Sequence, residues 1–102
     1  MQHEGTRVRS GLLSVTMLPA AAEGARSRQV AYAIGRHVGN AVVRNRLRRQ
    51  LRALMRARAE ALAPGAYLVA CSPRARGSSS TELARDLDRA MAKLSLTSTA
   101  GR

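Results

Sequence analysis

From Leu12 to Leu18 oily and polar positions alternate: Leu13, Val15 and Met17 point one way, Ser14 and Thr16 the other. That period of two predicts a strand with one buried face. Gln29 to Arg36 repeats it, with Val30, Tyr32 and Ile34 on one side and only Ala31, Ala33 and Gly35 on the other. Those small residues either admit a closely packed helix or floor a groove for an extended ligand. Upstream, Val8 is the only apolar residue after Met1 and before Leu12, so a short edge strand is the most expected there, around Arg7 to Arg9. Pro19 to Ser27 is rich in Ala and Gly and reads as a long hairpin connection, since Pro19 has no N–H for a ladder.

After Gly39 the period changes. Asn40 is a good N-cap, and Val43, Leu47, Leu51, Leu54 and Met55 then fall on one side of a helix opening at Ala41. Pro64-Gly65 predicts its end near Ala63. Tyr67 to Ser72 is apolar at nearly every position, which suits a central strand covered on at least one face. Pro73 to Ser80 is a basic Gly/Ser loop. Ser79 and Glu82 then form a capping box opening a last helix, whose Leu83, Leu87, Ala90, Met91 and Leu94 share a face. The polar tail from Ser95 is expected to fray. Strand, strand, helix, strand, helix predicts an α+β fold, with the strands flanking the first helix parallel if they are neighbours.

Composition sharpens this outline. The 102 residues suit one domain, ordered over about 7–95, with no Phe or Trp and only Tyr32 and Tyr67 as aromatics. The core must come from Leu, Val, Ile, Met and Ala. A net charge of +12 on so small a chain calls for a polyanionic partner, and nucleic acid is the natural one. All basic residues but Lys93 are arginines, which favours forked phosphate contacts. Cys71 is the sole cysteine and reads as inert core filler, so no disulfide framework or cysteine metal site is available and a reducing compartment is expected. No run approaches a membrane span and no hydrophobic signal core opens the chain, so a cytoplasmic location is expected.

The charge concentrates on the first helix. Arg44, Arg48, Arg52 and Arg56 form an i, i+4 row beside its apolar stripe, with Arg49 beyond and Arg46 on the other flank. Such a row costs a few tenths of a kcal/mol per pair in an isolated helix, on the order of what opposite charges would gain. A solvated face does not require it; a polyanion site does. Catalytic candidates are poor by comparison. Glu4, Glu23, Glu60, Glu82, Asp86 and Asp88 are scattered, and Asp86 and Asp88 point to different sides of a helix as solvated charges. His37 has no nearby carboxylate to orient it as a base, so contact with RNA is the better role. His3 and His37 are not spaced as a ligand pair, and no phosphate-loop or zinc spacing occurs.

The run Val38-Gly39-Asn40-Ala41-Val42-Val43-Arg44-Asn45-Arg46-Leu47-Arg48-Arg49-Gln50-Leu51-Arg52 resembles the signature of the protein subunit of bacterial ribonuclease P: Arg-Asn-Arg, then a basic pair and a further Arg on one helix. The resemblance extends from Gly5-Thr6 to about Leu94. It implies a two-layer α/β sandwich like that of some ribosomal proteins, its small mixed sheet carrying a left-handed βαβ crossover against the usual hand. It also implies an accessory subunit of a ribonucleoprotein endoribonuclease that removes the 5′ leader of precursor tRNA. Catalysis then belongs to the RNA and its Mg²⁺ ions, with no protein active site, no metal held by the protein alone, and one protein copy in the holoenzyme. Arg44, Asn45, Arg46, Arg48, Arg49, Arg52, Arg36 and His37 are the implied contacts to RNA, and Thr16, Ala33 and Gly35 match positions in the leader groove. In the family a basic helix bearing phenylalanines precedes the Gly-Thr; that helix is missing from this sequence, so either the true start codon lies upstream or the groove is half open. The competing expectations are a non-catalytic ribosome- or RNA-binding protein of the same fold, and a DNA-binding module whose helix would have to be exposed on both flanks.

Overall fold

The structure is a computed structural model that describes residues 5–19 and 28–100. Four strands form one sheet: β1 (Thr6–Ser10), β2 (Leu13–Pro19), β3 (Arg28–Ala33) and β4 (Gly65–Cys71). Two helices, α1 (Ala41–Ala57) and α2 (Ser80–Ala100), complete the α+β arrangement. The sheet order is β1-β2-β4-β3, with β1, β2 and β4 successively antiparallel and β3 parallel to β4.

The alternation seen along the chain becomes the two faces of this sheet. Leu13, Val15, Ile34, Tyr67, Val69 and Cys71 are buried against Leu47, Leu51 and Met55 of α1 and Leu83, Leu87, Ala90 and Leu94 of α2. Both helices therefore serve one core. On the opposite face Leu18 and Leu68 are exposed, so β4 is central by pairing yet covered on one side only. The small row Ala31 and Ala33 also lies exposed on that face, which favours the groove over a packed helix.

Several local expectations change. β2 and β3 do not form a hairpin, because the more continuously apolar β4 inserts between them. Pro19 ends β2, opposite Gly65, while residues 20–27 lie outside the described ones, as do His3, Glu4 and Glu23. α1 stops at Ala57, short of Ala63: the Arg58 N–H turns back to the carbonyls of Met55 and Arg56, and a 3-10 turn, Ala59–Ala61, brings Leu62 into the core. At the other end α2 spans Ser80–Ala100, past Ser95. Its start follows the capping box: Ser79 N–H donates to Glu82 Oε1 at 2.8 Å, and Glu82 N–H to Ser79 Oγ at 3.1 Å.

The turn between β1 and β2 supplies an unanticipated contact. Gly11 adopts a left-handed φ of 54°, and Leu12 N–H donates to Asp86 Oδ2 at 2.8 Å. Asp86 is buried, not solvated, because α2 crosses beneath this turn and the backbone N–H needs an acceptor. Asp88, two residues further along the helix, instead pairs with Arg58.

Candidate nucleic-acid interface

α1 begins where Asn40 Oδ1 accepts the Val43 N–H at 3.0 Å, fixing the helix entry just before the first arginine. Its inner stripe is buried and its outer face holds no acid from Ala41 to Ala57. Asn45, Arg46, Arg49, Arg52 and Arg56 are exposed on that outer face, while Arg44 and Arg48 are half-buried at its edge. Asn45 Oδ1 accepts from Arg48 Nη1 at 2.9 Å, which orients the guanidinium and leaves the Asn45 amide N–H groups as donors. Arg44 Nε is buried without a hydrogen-bond partner, an unmet donor among the described residues at the head of the arginine row.

One flank of α1 is closed by a contact with α2. Gln50 Nε2 reaches Ser80 Oγ at 2.9 Å on the α2 side. On the other side Arg52, Arg56 and Tyr32 of the edge strand line a narrow cleft, which bounds the helix there by the sheet edge. A recognition helix for a DNA major groove needs both flanks clear, so this packing argues against the DNA-binding expectation.

Arg36 and His37 are exposed in a 3-10 turn, Arg36–Val38, that links β3 to α1. His37 belongs to a second cationic region, a groove of about 730 Å³ over the open sheet face. Arg7, Arg9, Ser14, Ala33, His37 and Arg74 are among its lining residues. A Cβ at Gly35 would meet the His37 ring at 2.7 Å, so a side chain there would displace that exposed ring. Ala33 and Gly35 thus share one groove with His37. Thr16 does not line it; it lies further along β2, opposite Leu68. Arg7, Arg9 and Arg74 were missed as site residues. The alternation Arg7-Val8-Arg9, which puts both arginines on one face of β1, was the signal that could have found the first two.

Neutralising groups are few and engaged elsewhere. Asp88 is held by Arg58, whose hydrogen bond keeps the Asp88 carboxyl below its usual range. Glu82 belongs to the α2 cap and Asp86 to the Leu12 turn. The described residues contain no group of three or more His, Cys, Asp or Glu that could hold a metal ion. No helix of the described residues is long and apolar enough to cross a membrane.

A basic two-layer sandwich with arginines along the outer face of one helix, and a second cationic groove on the bare side of its sheet, has the charge layout that suits a polyanionic partner. The sequence profile of the family Ribonuclease P matches residues 1–95, and the chain belongs to that family. The ribonuclease P protein component of a Nocardioides species is 42% identical over 77 residues, which are 74% of this chain and 63% of the relative. That of Thermus scotoductus is 38% identical over 94 residues, 91% of this chain and 53% of the relative. The chain thus spans between half and two thirds of the length of these relatives. Among solved structures, the Staphylococcus aureus RNase P protein superposes with a TM-score of 0.79 at 16% identity, covering 88% of this chain and 81% of that one. The Thermotoga maritima protein gives 0.73 at 18%, covering 84% and 80%. At those identities the two structures establish the fold.

Proposed function

We propose that this chain is an accessory subunit of ribonuclease P, docking on the catalytic RNA through the outer face of α1. The observation that carries the reading is the order of exposed groups on that face, Asn45, Arg46, Arg49 and Arg52, with Arg44 and Arg48 at its border. Guanidinium forks there can each span two phosphate oxygens, and the Asn45 amide adds a donor for a base edge or sugar. The reaction is hydrolysis of the phosphodiester joining the 5′ leader to precursor tRNA. Mg²⁺ held by the RNA supplies its electrostatic stabilisation. The chain's own part is to lower the repulsion between RNA and substrate and to fix their alignment.

The open sheet face is the proposed seat of the leader. Arg7, Arg9 and Arg74 offer phosphate contacts, while Ala33 and Gly35 let a backbone approach closely. His37 at the same groove adds a ring able to stack or donate.

The test is reconstitution: the chain, ribonuclease P RNA and precursor tRNA at a Mg²⁺ concentration too low for the RNA alone. Restored release of the 5′ leader is expected. Absence of rescue, with the RNA active at high Mg²⁺, would overturn the proposal.

A further inference from the structure

Besides the outer face of α1 and the open sheet face, a third cleft runs between α1 and the edge strand β3. It measures about 290 Å³ and is lined chiefly by Arg28, Val30, Tyr32, Arg52, Met55 and Arg56. Its floor is aromatic and aliphatic and its rim is cationic. Arg28 is held in place, its Nε donating to the Leu62 carbonyl at 2.6 Å, which leaves the terminal nitrogens of the fork for another acceptor. Arg52 and Arg56 stand one helical turn apart on the opposite wall.

The placement of Tyr32 is informative because the chain has only one other aromatic residue. Tyr67 is a core residue, 4% exposed, with its hydroxyl on the Ala63 carbonyl at 2.6 Å. Tyr32 is only half-buried, and its hydroxyl makes no hydrogen bond among the described residues. Its phenol is close enough to Arg52 and Arg56 for their charge to oppose the upward shift that burial causes. An aromatic platform flanked by guanidinium groups is the arrangement that retains unpaired nucleotides. Any base can stack on the ring, and the phosphates to either side meet the forks.

We infer that the cleft between α1 and β3 receives an unpaired nucleotide of the RNA docked on α1, its base against Tyr32 and its flanking phosphates on Arg52 and Arg56. The inference rests on the RNA-docking reading of α1 and extends that surface round the helix to the sheet edge. Arg56 joins the interface with it, and so does a residue of the sheet.

The experiment is binding of the full chain to ribonuclease P RNA at fixed salt, together with zero-length ultraviolet crosslinking of the unmodified complex. Tyr32→Leu is expected to weaken binding about ten-fold, the usual scale for loss of one stacked base. Tyr32→Phe, which keeps the ring, should bind within about two-fold of the original chain on the same argument. The peptide containing Tyr32 should carry a crosslinked nucleotide, a readout that holds even if Tyr32→Leu disturbs the fold. Unchanged affinity of Tyr32→Leu with no crosslink at Tyr32, while Arg46→Ala still weakens binding, overturns the cleft and leaves the docking of α1 standing. If Arg46→Ala has no effect either, the docking reading falls and this one with it.

Discussion

Asp86 on α2 accepts the backbone N–H of Leu12 at 2.8 Å, tying together positions 74 apart in sequence. The carboxylate also occupies the space where a side chain at Gly11 would begin. This hydrogen bond therefore ties the turn between β1 and β2 to α2. Asp86→Ala should cost about 1 kcal/mol, because it leaves the part-buried Leu12 donor without its acceptor, and Asp86→Asn less because it retains an acceptor. Gly11→Ala should also destabilise, through its positive φ and the encounter with the carboxylate. Urea midpoints of the three variants measure this; an Asp86→Ala midpoint equal to that of the parent chain would refute the role.

Arg58 grips Asp88 with two bonds, Nε to Oδ1 at 2.6 Å and Nη2 to Oδ2 at 3.1 Å. The Asp88 side chain is 59% exposed, so solvent screening limits the pair to about 0.5 kcal/mol despite its geometry. The hydrogen bond from Arg58 lowers the Asp88 carboxyl from its ordinary 3.8. Stability from the pair is then complete above that value and disappears as pH falls through the lowered one. Asp88→Asn should be slightly less stable than the parent chain at neutral pH, with the difference closing in acid. Denaturation midpoints across that range check both the size and the sign.

Burial pushes the Cys71 thiol up to about 11 from an ordinary 9.0. At pH 8 this leaves on the order of one thiol in a thousand ionised, so alkylation of the folded chain should be slow and should accelerate sharply in denaturant. The raised value also means that the folded state resists ionisation more than the unfolded one. Its contribution is fully present below the ordinary thiol value and is lost as pH rises towards the folded one. Cys71→Ala should flatten that alkaline decline in stability. Rapid modification of the native chain at neutral pH would contradict the burial.

Arg46→Ala should lower affinity for the RNA and reduce the dependence of log K on log salt by roughly one ion. Arg44→Ala should act similarly on the slope, and in addition it removes the buried unmet donor at Nε. A slope unchanged by Arg46→Ala would mean that this side chain touches no phosphate.

What could be read from the sequence follows the physics of each feature. Short-range rules placed the Asn40 cap, the Ser79–Glu82 box and the inner stripe of α1, because each depends on residues within a turn of one another. The order Arg44-Asn45-Arg46 carried the family resemblance, which the profile match over residues 1–95 bears out. Long-range choices were hidden. Nothing local distinguishes Asp86, which meets a turn 74 residues away, from Asp88, which meets an arginine 30 away. Similarly, a strand that pairs with a distant segment looks the same as one half of a hairpin, so the insertion of β4 between β2 and β3 went unread. The basic groove on the open sheet face required β1, β3 and the turn after β4 to be brought together, and only Ala33, Gly35 and His37 of its members had been singled out.

The insertion of β4 also sets an order of events during synthesis. Both β2 and β3 bond to β4, yet α1 leaves the ribosome before β4 does. Until then the growing chain can close only the β1–β2 hairpin, and the inner stripe of α1 has no complete sheet to lie on. For that interval the most cationic segment of the molecule is made but not seated. A polyanion present at the ribosome would meet the helix while the sheet beneath it is still unfinished.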